Sequence, residues 1–352
     1  MRPAGRSLIA LGAVLIFLAL PAAAGASHGR GGDRKVHITG TVYAFDNQAP
    51  IAGAKIRVAE LPGAKATSAA NGSYDLTVPD GARITPYVEA TGFHGIYLQT
   101  FVTAGRNLRR VNFQVPSVGI YHGLALLLGV KLNADDNPAR CVIVSTFSTV
   151  NVRDLSFPDF VAYGAHGVAG ATASASPALT DPIYFNASVI PDKSLTESSV
   201  DGGVIWLNVP RGVYRLTAHH PSARFARFTA TCVPGRLVNA NPPQGLYQLK
   251  KGERLDNRVG ASIDAIGVDS GETGPVRVRV GVRASEYVLP QAELLAGGRT
   301  VARAAAARYS PGHRSLLLRV GRARAHGSLR LRLTLGDAAG NTRVIQRSVQ
   351  VP

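Results

Sequence analysis

One stretch of this chain is written twice. Ile51-Ala52-Gly53-Ala54-Lys55-Ile56-Arg57-Val58 and Asn71-Gly72-Ser73-Tyr74-Asp75-Leu76-Thr77-Val78-Pro79-Asp80-Gly81 return in altered form as Val168-Ala169-Gly170-Ala171-Thr172 and Gly202-Gly203-Val204-Ile205-Trp206-Leu207-Asn208-Val209-Pro210-Arg211-Gly212. Self-similarity of this kind marks a duplicated supersecondary unit, so the chain is an array before it is anything else. Within the first copy Tyr74, Leu76 and Val78 alternate with Ser73, Asp75 and Thr77, and Ile56 and Val58 with Lys55 and Arg57. Period-two alternation offers one apolar side of each strand to a shared core. Ile38 and Val42 share a face in the same way, and further strands fit residues 85–90, 97–103 and 108–115. Asn71-Gly72 and Asp80-Gly81 supply turns that tolerate positive φ. About seven short strands over residues 36–116 close most simply as a β-sandwich.

Residues 117–138 read as a connector. Their leucine-rich part, 121–132, lacks alternation and predicts a short helix, which 133–138 then breaks. The second module is expected over 139–250, differing from the first mainly by an insertion at 181–200. Aligning Val209-Pro210 on Val78-Pro79 assigns Ile205, Leu207 and Val209 to its core, and Val204, Trp206 and Asn208 to the opposite face. From 251 to 352 the repeat disappears. Residues 276–283 and 329–335 alternate strictly, and 337–342 form a turn before a last strand at 343–351, a pattern that looks immunoglobulin-like. The expected fold class is all-β, three tandem β-sandwich modules with a short connecting helix.

The first 26 residues have the layout of an export signal: Arg2 and Arg6, an apolar run from Leu8 to Leu20, and Ala24-Gly25-Ala26, with cleavage expected after Ala26. That run falls short of the ~20 residues needed to span a bilayer. No later segment spans either, so the mature chain is expected to lack a transmembrane segment, to begin with a Gly-rich leader at 27–35, and to be secreted or held at the cell surface. Outside the reducing cytosol the only two cysteines, Cys141 and Cys232, are expected to pair. The net charge of +17 suggests a polyanionic partner. Arginine far outnumbers lysine, however, as GC-rich bacterial coding alone produces, and nucleic acid is not an expected partner outside the cell.

The pattern Gly40-Thr41-Val42, Ala52-Gly53-Ala54-Lys55-Ile56-Arg57-Val58 and Asn71 to Gly81 resembles carboxypeptidase regulatory-like domains, which are transthyretin-like β-sandwiches; 168–171 and 202–212 form a weaker second copy. The resemblance implies accessory modules of secreted and surface proteins, with roles in stability, adhesion or carbohydrate binding. It implies no peptidase chemistry, because the regulatory domain is not the catalytic one.

Three common hydrolase and nucleotide signatures, His-Glu-x-x-His, Gly-x-Ser-x-Gly and the phosphate-cradling glycine loop, do not occur. No catalytic residue, cofactor or metal site is therefore assigned. The candidate binding residues are Trp206, the sole tryptophan, and the pair His219-His220. Trp206 has three readings: packing under the insertion, burial against a neighbouring module, or an exposed platform for a sugar ring. His219 and His220, adjacent on a strand, point to opposite faces and share a metal only where the strand has ended. Asn133, Asp135 and Asn137 are spaced like calcium-loop ligands, but Pro138 stands where glycine is required, so a solvated turn is expected. Arg277, Arg279 and Arg283, with Arg330 and Arg332, would form a basic ladder if their strands paired. The expected partner is a cell-wall polymer, a carbohydrate or a surface protein, bound without catalysis. The competing class is a metal-dependent or hydrolytic enzyme with its site in the second module, assembled from His94, His166, His219, His220 and nearby carboxylates.

Overall fold

The structure, a computed structural model, describes residues 34–325 and 327–351; the expected export signal, its cleavage at Ala26 and the leader up to residue 33 lie outside the described residues. Nine short strands come first: β1 (Lys35–Ala44), β2 (Lys55–Val58), β3 (Lys65–Thr67), β4 (Ser73–Pro79), β5 (Arg83–Ile84), β6 (Pro86–Glu89), β7 (Ile96–Tyr97), β8 (Phe101–Val102) and β9 (Phe113–Val115). β1 lies between antiparallel β4 and parallel β9, while β2 pairs with β3 and β6, and β6 with β7. The alternation in β4 is realised residue by residue, Tyr74, Leu76 and Val78 buried and Ser73, Asp75 and Thr77 exposed. Ile38, Ile56, Leu76 and Phe113 meet in one core.

Helix α1 (Val118–Leu128) follows. Ser117 caps its start by accepting from the Ile120 N–H, and Gly129 ends it in the left-handed region. Next come β10 (Cys141–Thr146), α2 (Phe157–Tyr163), β11 (Thr172–Ser176), β12 (Ile183–Phe185), β13 (Pro191–Asp192), β14 (Gly203–Val209), β15 (Gly212–His219), β16 (Phe228–Cys232) and β17 (Leu237–Ala240). Their pairing repeats that of the first group. β10 lies between antiparallel β14 and parallel β17, as β1 does between β4 and β9, and β11, β15 and β16 form the opposing sheet.

A polar pin recurs as well. Ser68 Oγ accepts from the Ala54 N–H at 2.9 Å and donates to the Ile51 carbonyl at 2.6 Å. Ser198 Oγ accepts from the Ala171 N–H at 2.9 Å and donates to the Val168 carbonyl at 2.7 Å. The Ala-Gly-Ala segment that is visible twice in the sequence is thus held twice by a buried serine hydroxyl, which satisfies backbone groups where the strand begins. The insertion adds β12 and β13 beside β14, with Tyr184 in the core and Phe185 on the other face of the sheet.

The expected facing of β14 is reversed at its centre. Val204, Trp206 and Val209 lie in the core, whereas Ile205 and Leu207 pack on the outer face with Leu128 and Val142. The cause is one extra residue. Asn208 has φ +53°, and the β10–β14 register shifts between Cys141 and Ile143. A bulge there lets Val209 return to the core without obeying the period of two. The alignment through Val-Pro was right at Val209 and one residue out above it.

The two groups of strands do not stand apart as beads. β17 pairs with β7 in parallel, producing one nine-stranded sheet in the order β13-β12-β14-β10-β17-β7-β6-β2-β3. A chain of hydroxyls crosses the junction: Glu60 accepts from the Thr85 hydroxyl, which bonds Thr100, which bonds Thr231 at 2.7 Å. Tyr43, completely buried, packs against Phe157 at a tilt and against Phe160 edge-on, tying β1 to α2 of the second group.

The last six strands are β18 (Ala261–Asp269), β19 (Val276–Ala296), β20 (Arg299–Ala305), β21 (Ser310–Val320), β22 (Gly327–Asp337) and β23 (Thr342–Val351). β19 serves two sets of neighbours: its first half pairs with β18 and β21, its second with β20 and β22. An aliphatic core of Val278, Val280, Leu294, Leu318, Leu331 and Leu333 lies between. Arg277 and Arg279 therefore never face Arg330 and Arg332, and the expected ladder does not form. Arg283 pairs with Asp264 and Arg332 with Glu293, leaving Arg277, Arg279 and Arg319 exposed on one sheet. The strands grip the Asp80-Gly81 turn of the first group, where the Tyr287 hydroxyl donates to Asp80 at 2.7 Å and the Tyr309 N–H to the Gly81 carbonyl at 3.0 Å. Gly81 is required there. Its φ is +70°, and a Cβ would meet the Tyr309 carbonyl oxygen at 2.1 Å.

Candidate functional sites

Cys141 and Cys232 are joined, closing a loop of 91 residues between the first strand of the second group and its last antiparallel one. Trp206 lies beside them in the same core and is 1 % exposed. Of its three readings the platform is excluded, since no face of the indole meets solvent.

The four histidines are dispersed. His219 ends β15, with Nε2 2.9 Å from Ser174 Oγ on the neighbouring strand. His220 is outside the strand, and its Nδ1 accepts from the backbone N–H groups of Ser222 and Ala223 at 3.1 and 3.0 Å, so it stabilises the turn that follows. His166 is in contact with Phe160, its Nδ1 2.7 Å from the Gly164 carbonyl. His94 is in the first group of strands, stacked on Tyr121 of α1 with ring centroids 3.5 Å apart. Burial pushes its pKa down to about 4, so it is neutral at pH 7. Among the described residues none of these histidines belongs to a set of three metal-ligating side chains within mutual reach.

One such set exists elsewhere. Asp256, Glu286 and Asp337 bring a carboxylate oxygen each to within 4.8 Å of one another. Oxygen-only donors suit a hard cation. Asp337 is already engaged, accepting from the Asn341 N–H at 2.7 Å and its side-chain amide at 2.8 Å, and Glu286 accepts from the Gly260 N–H. Burial first, and then the neighbouring carboxylates, raise the pKa of both Glu286 and Asp337. The 337–342 segment was legible as a turn; the approach of Asp256 and Glu286 to it was not, because each comes from a distant part of the chain.

The predicted solvated turn forms at 133–137, where Asn133 Oδ1 accepts from the Asp135 and Asn137 N–H groups, both at 3.0 Å. A cavity of about 140 Å³ opens between α1 and the outer face of β10, β14 and β17, walled by Leu124, Leu128, Val142, Val144, Ile205 and Leu237. Phe185 and Val189 of the insertion also line it, as do Tyr121 and Asp201. The expected insertion thus contributes to a concave surface, although not through Trp206.

The described part of the chain belongs to the class of mainly β proteins built from several packed sheets. Residues 37–116 match the carboxypeptidase regulatory-like domain. No curated protein matches the sequence. Among solved structures, the Bacillus anthracis TIE protein is 10 % identical over 90 % of this chain and 48 % of its own, with a TM-score of 0.18. The major pilin subunit of Bacillus cereus is 10 % identical over 60 % of this chain and 69 % of its own, at 0.18. The human desmocollin-1 ectodomain is 9 % identical over 90 % and 58 %, at 0.21. The chain spans about half the length of the first of these. Similarities this weak carry no functional argument. Among the described residues no helix is long and apolar enough to cross a membrane.

Proposed function

We propose that this is a non-enzymatic, exported surface protein: residues 36–116 and 139–250 are two copies of a carboxypeptidase regulatory-like sandwich, residues 251–352 an immunoglobulin-like module, and the assembly holds an anionic or carbohydrate polymer of the cell envelope. The observation that carries the reading is the use made of the polar side chains. The Glu60-Thr85-Thr100-Thr231 chain, Arg215 donating to Asn341 at 2.9 Å, and Tyr287 donating to Asp80 all join one group of strands to another. His94, His166, His219 and His220 do not converge on one cleft. Catalysis needs convergent groups within hydrogen-bond reach, whereas presenting a binding face needs rigid joints between modules. The disulfide supports export, since such bonds persist in oxidising compartments.

The face offered to an anionic polymer is the exposed surface of β19 and β21, where Arg277, Arg279 and Arg319 stand without an ion pair among the described residues. Sedimentation of the purified protein with insoluble envelope polysaccharide, at low and high salt, tests this. Binding that falls steeply with salt and is lost in Arg277→Glu/Arg279→Glu is expected. Stoichiometric bound metal that disappears in His219→Ala or His220→Ala would instead overturn the preference for a non-enzymatic protein.

A further inference from the structure

The cavity beneath α1 has the composition of a ligand site rather than of a packing defect. Its two walls are aliphatic, Leu124 and Leu128 from the helix facing Val142, Val144 and Ile205 from the sheet. A volume of about 140 Å³ is comparable to an engineered apolar cavity that admits benzene. Gln114, Ser145, Thr146, His166 and Asn239 border the slot, and Tyr121 and Asp201 bear on what it would hold. Tyr121 is 6 % exposed, and its hydroxyl is buried with no hydrogen-bond partner among the described residues. An orphaned buried hydroxyl is unfavourable unless something accepts from it. Asp201 also lines the cavity, with one carboxylate oxygen accepting from the Gly203 N–H. Apolar surface continues outside: Val189 lines the cavity yet is 44 % exposed, and Ile190 beside it is 47 % exposed.

We infer that this cavity binds the alkyl chain of an amphiphile whose polar end is an uncharged oxygen function, an ester or an alcohol. The chain end fills the aliphatic slot, and the oxygen function accepts from the Tyr121 hydroxyl. The part of the chain that the slot cannot hold lies against Val189 and Ile190. A negatively charged head is disfavoured because the site already resists negative charge: burial raises the pKa of Asp201 in the lining, even with His166 beside it. A pocket walled by hydrophobic side chains with a few placed polar groups is the usual form of a small-molecule site. The inference goes beyond the proposed surface role and does not depend on it.

The test uses the whole protein and the neutral fluorophore N-phenyl-1-naphthylamine, excited through Trp206, whose sequence neighbour Ile205 lines the cavity. Saturable emission is expected, displaced by glyceryl monooctanoate at concentrations at least about tenfold below those needed of octanoate at neutral pH. Ala125→Leu, which fills the slot from the helix side, should weaken the fluorophore at least about tenfold while leaving the unliganded Trp206 emission unchanged. Val144→Phe does the same from the sheet side and stands in if the first variant fails to fold. Tyr121→Phe should weaken glyceryl monooctanoate severalfold without affecting the fluorophore, which has no oxygen to accept. Flotation with phosphatidylcholine vesicles, abolished by Ala125→Leu, would identify a bilayer lipid as the source of the chain; displacement without flotation would identify a free amphiphile. Emission that does not saturate, or that survives both filling substitutions unchanged, overturns the inference.

Discussion

Asn208 decides where Trp206 goes. A strict period of two puts the indole on the outer face of β14, and a single extra residue with positive φ puts it in the core instead. Nothing in the local sequence announces the bulge, because asparagine in a strand is equally consistent with an exposed position. Burial makes two outcomes measurable. Trp206 emission should be shielded from iodide, and Trp206→Ala should lower unfolding free energy by about 3–5 kcal/mol in urea denaturation, the usual cost of emptying a large aromatic site. His94 is the residue whose environment makes stability depend on pH. Its folded pKa of about 4 lies below the ordinary value of 6.5, so between those limits the unfolded chain binds the extra proton. Its stability term is intact above pH 6.5 and is lost as pH falls toward 4, by at most about 3 kcal/mol. Denaturation midpoints at pH 7 and pH 5 should differ more in the wild type than in His94→Phe, which keeps the stack on Tyr121 and cannot take the proton.

At the scale of elements the duplicated text was the most legible part of the chain. Gly72 and Gly202 occupy matching places: the Val42 N–H donates to the Gly72 carbonyl and the Phe147 N–H to that of Gly202, both at the start of a repeat strand. The serines that pin each Ala-Gly-Ala segment were not singled out, since a serine fourteen residues from its partner in one copy and 27 in the other leaves no fixed spacing. Their equivalence predicts equivalent costs. Ser68→Ala and Ser198→Ala should each destabilise by about 1–3 kcal/mol, because each strands a buried backbone N–H. Helix α1 was foreseen, with its start three residues early and its end four residues early relative to 121–132. α2 was missed, although Ser156-Phe157-Pro158-Asp159 carries an N-cap serine that accepts from the Asp159 N–H. Reduction of Cys141–Cys232 releases a 91-residue loop, which the chain-entropy estimate values at about 4–5 kcal/mol, and the denaturation midpoint should fall accordingly.

At the scale of the molecule, the all-β class was legible in the sequence, but not how the groups of strands meet. Pairing between β7 and β17 rests on two short strands that no periodicity argument would join, and the contacts around it are made by Thr100, Thr229, Asn239 and Gln114. Asn239, for example, is buried and donates to the Gln114 carbonyl at 3.1 Å, an arrangement that only the assembled junction explains. Polar residues on a would-be exterior are ordinary in an isolated sandwich; here they are buried because the exterior of one repeat is the interior of the pair. The chain's resemblance to a string of beads is therefore a property of its text, and the junction predicts that the two groups of strands unfold together.

Native-state hydrogen exchange tests that claim most directly. The amides of Val42 on β1 and of Ile143 on β10 lie at the centres of the two repeats. If the repeats share one sheet and one unfolding event, exchange at both sites should converge on a single opening free energy as denaturant is added. Two separate opening free energies, with the first repeat exchanging while the second stays protected, would show that the two groups of strands unfold independently.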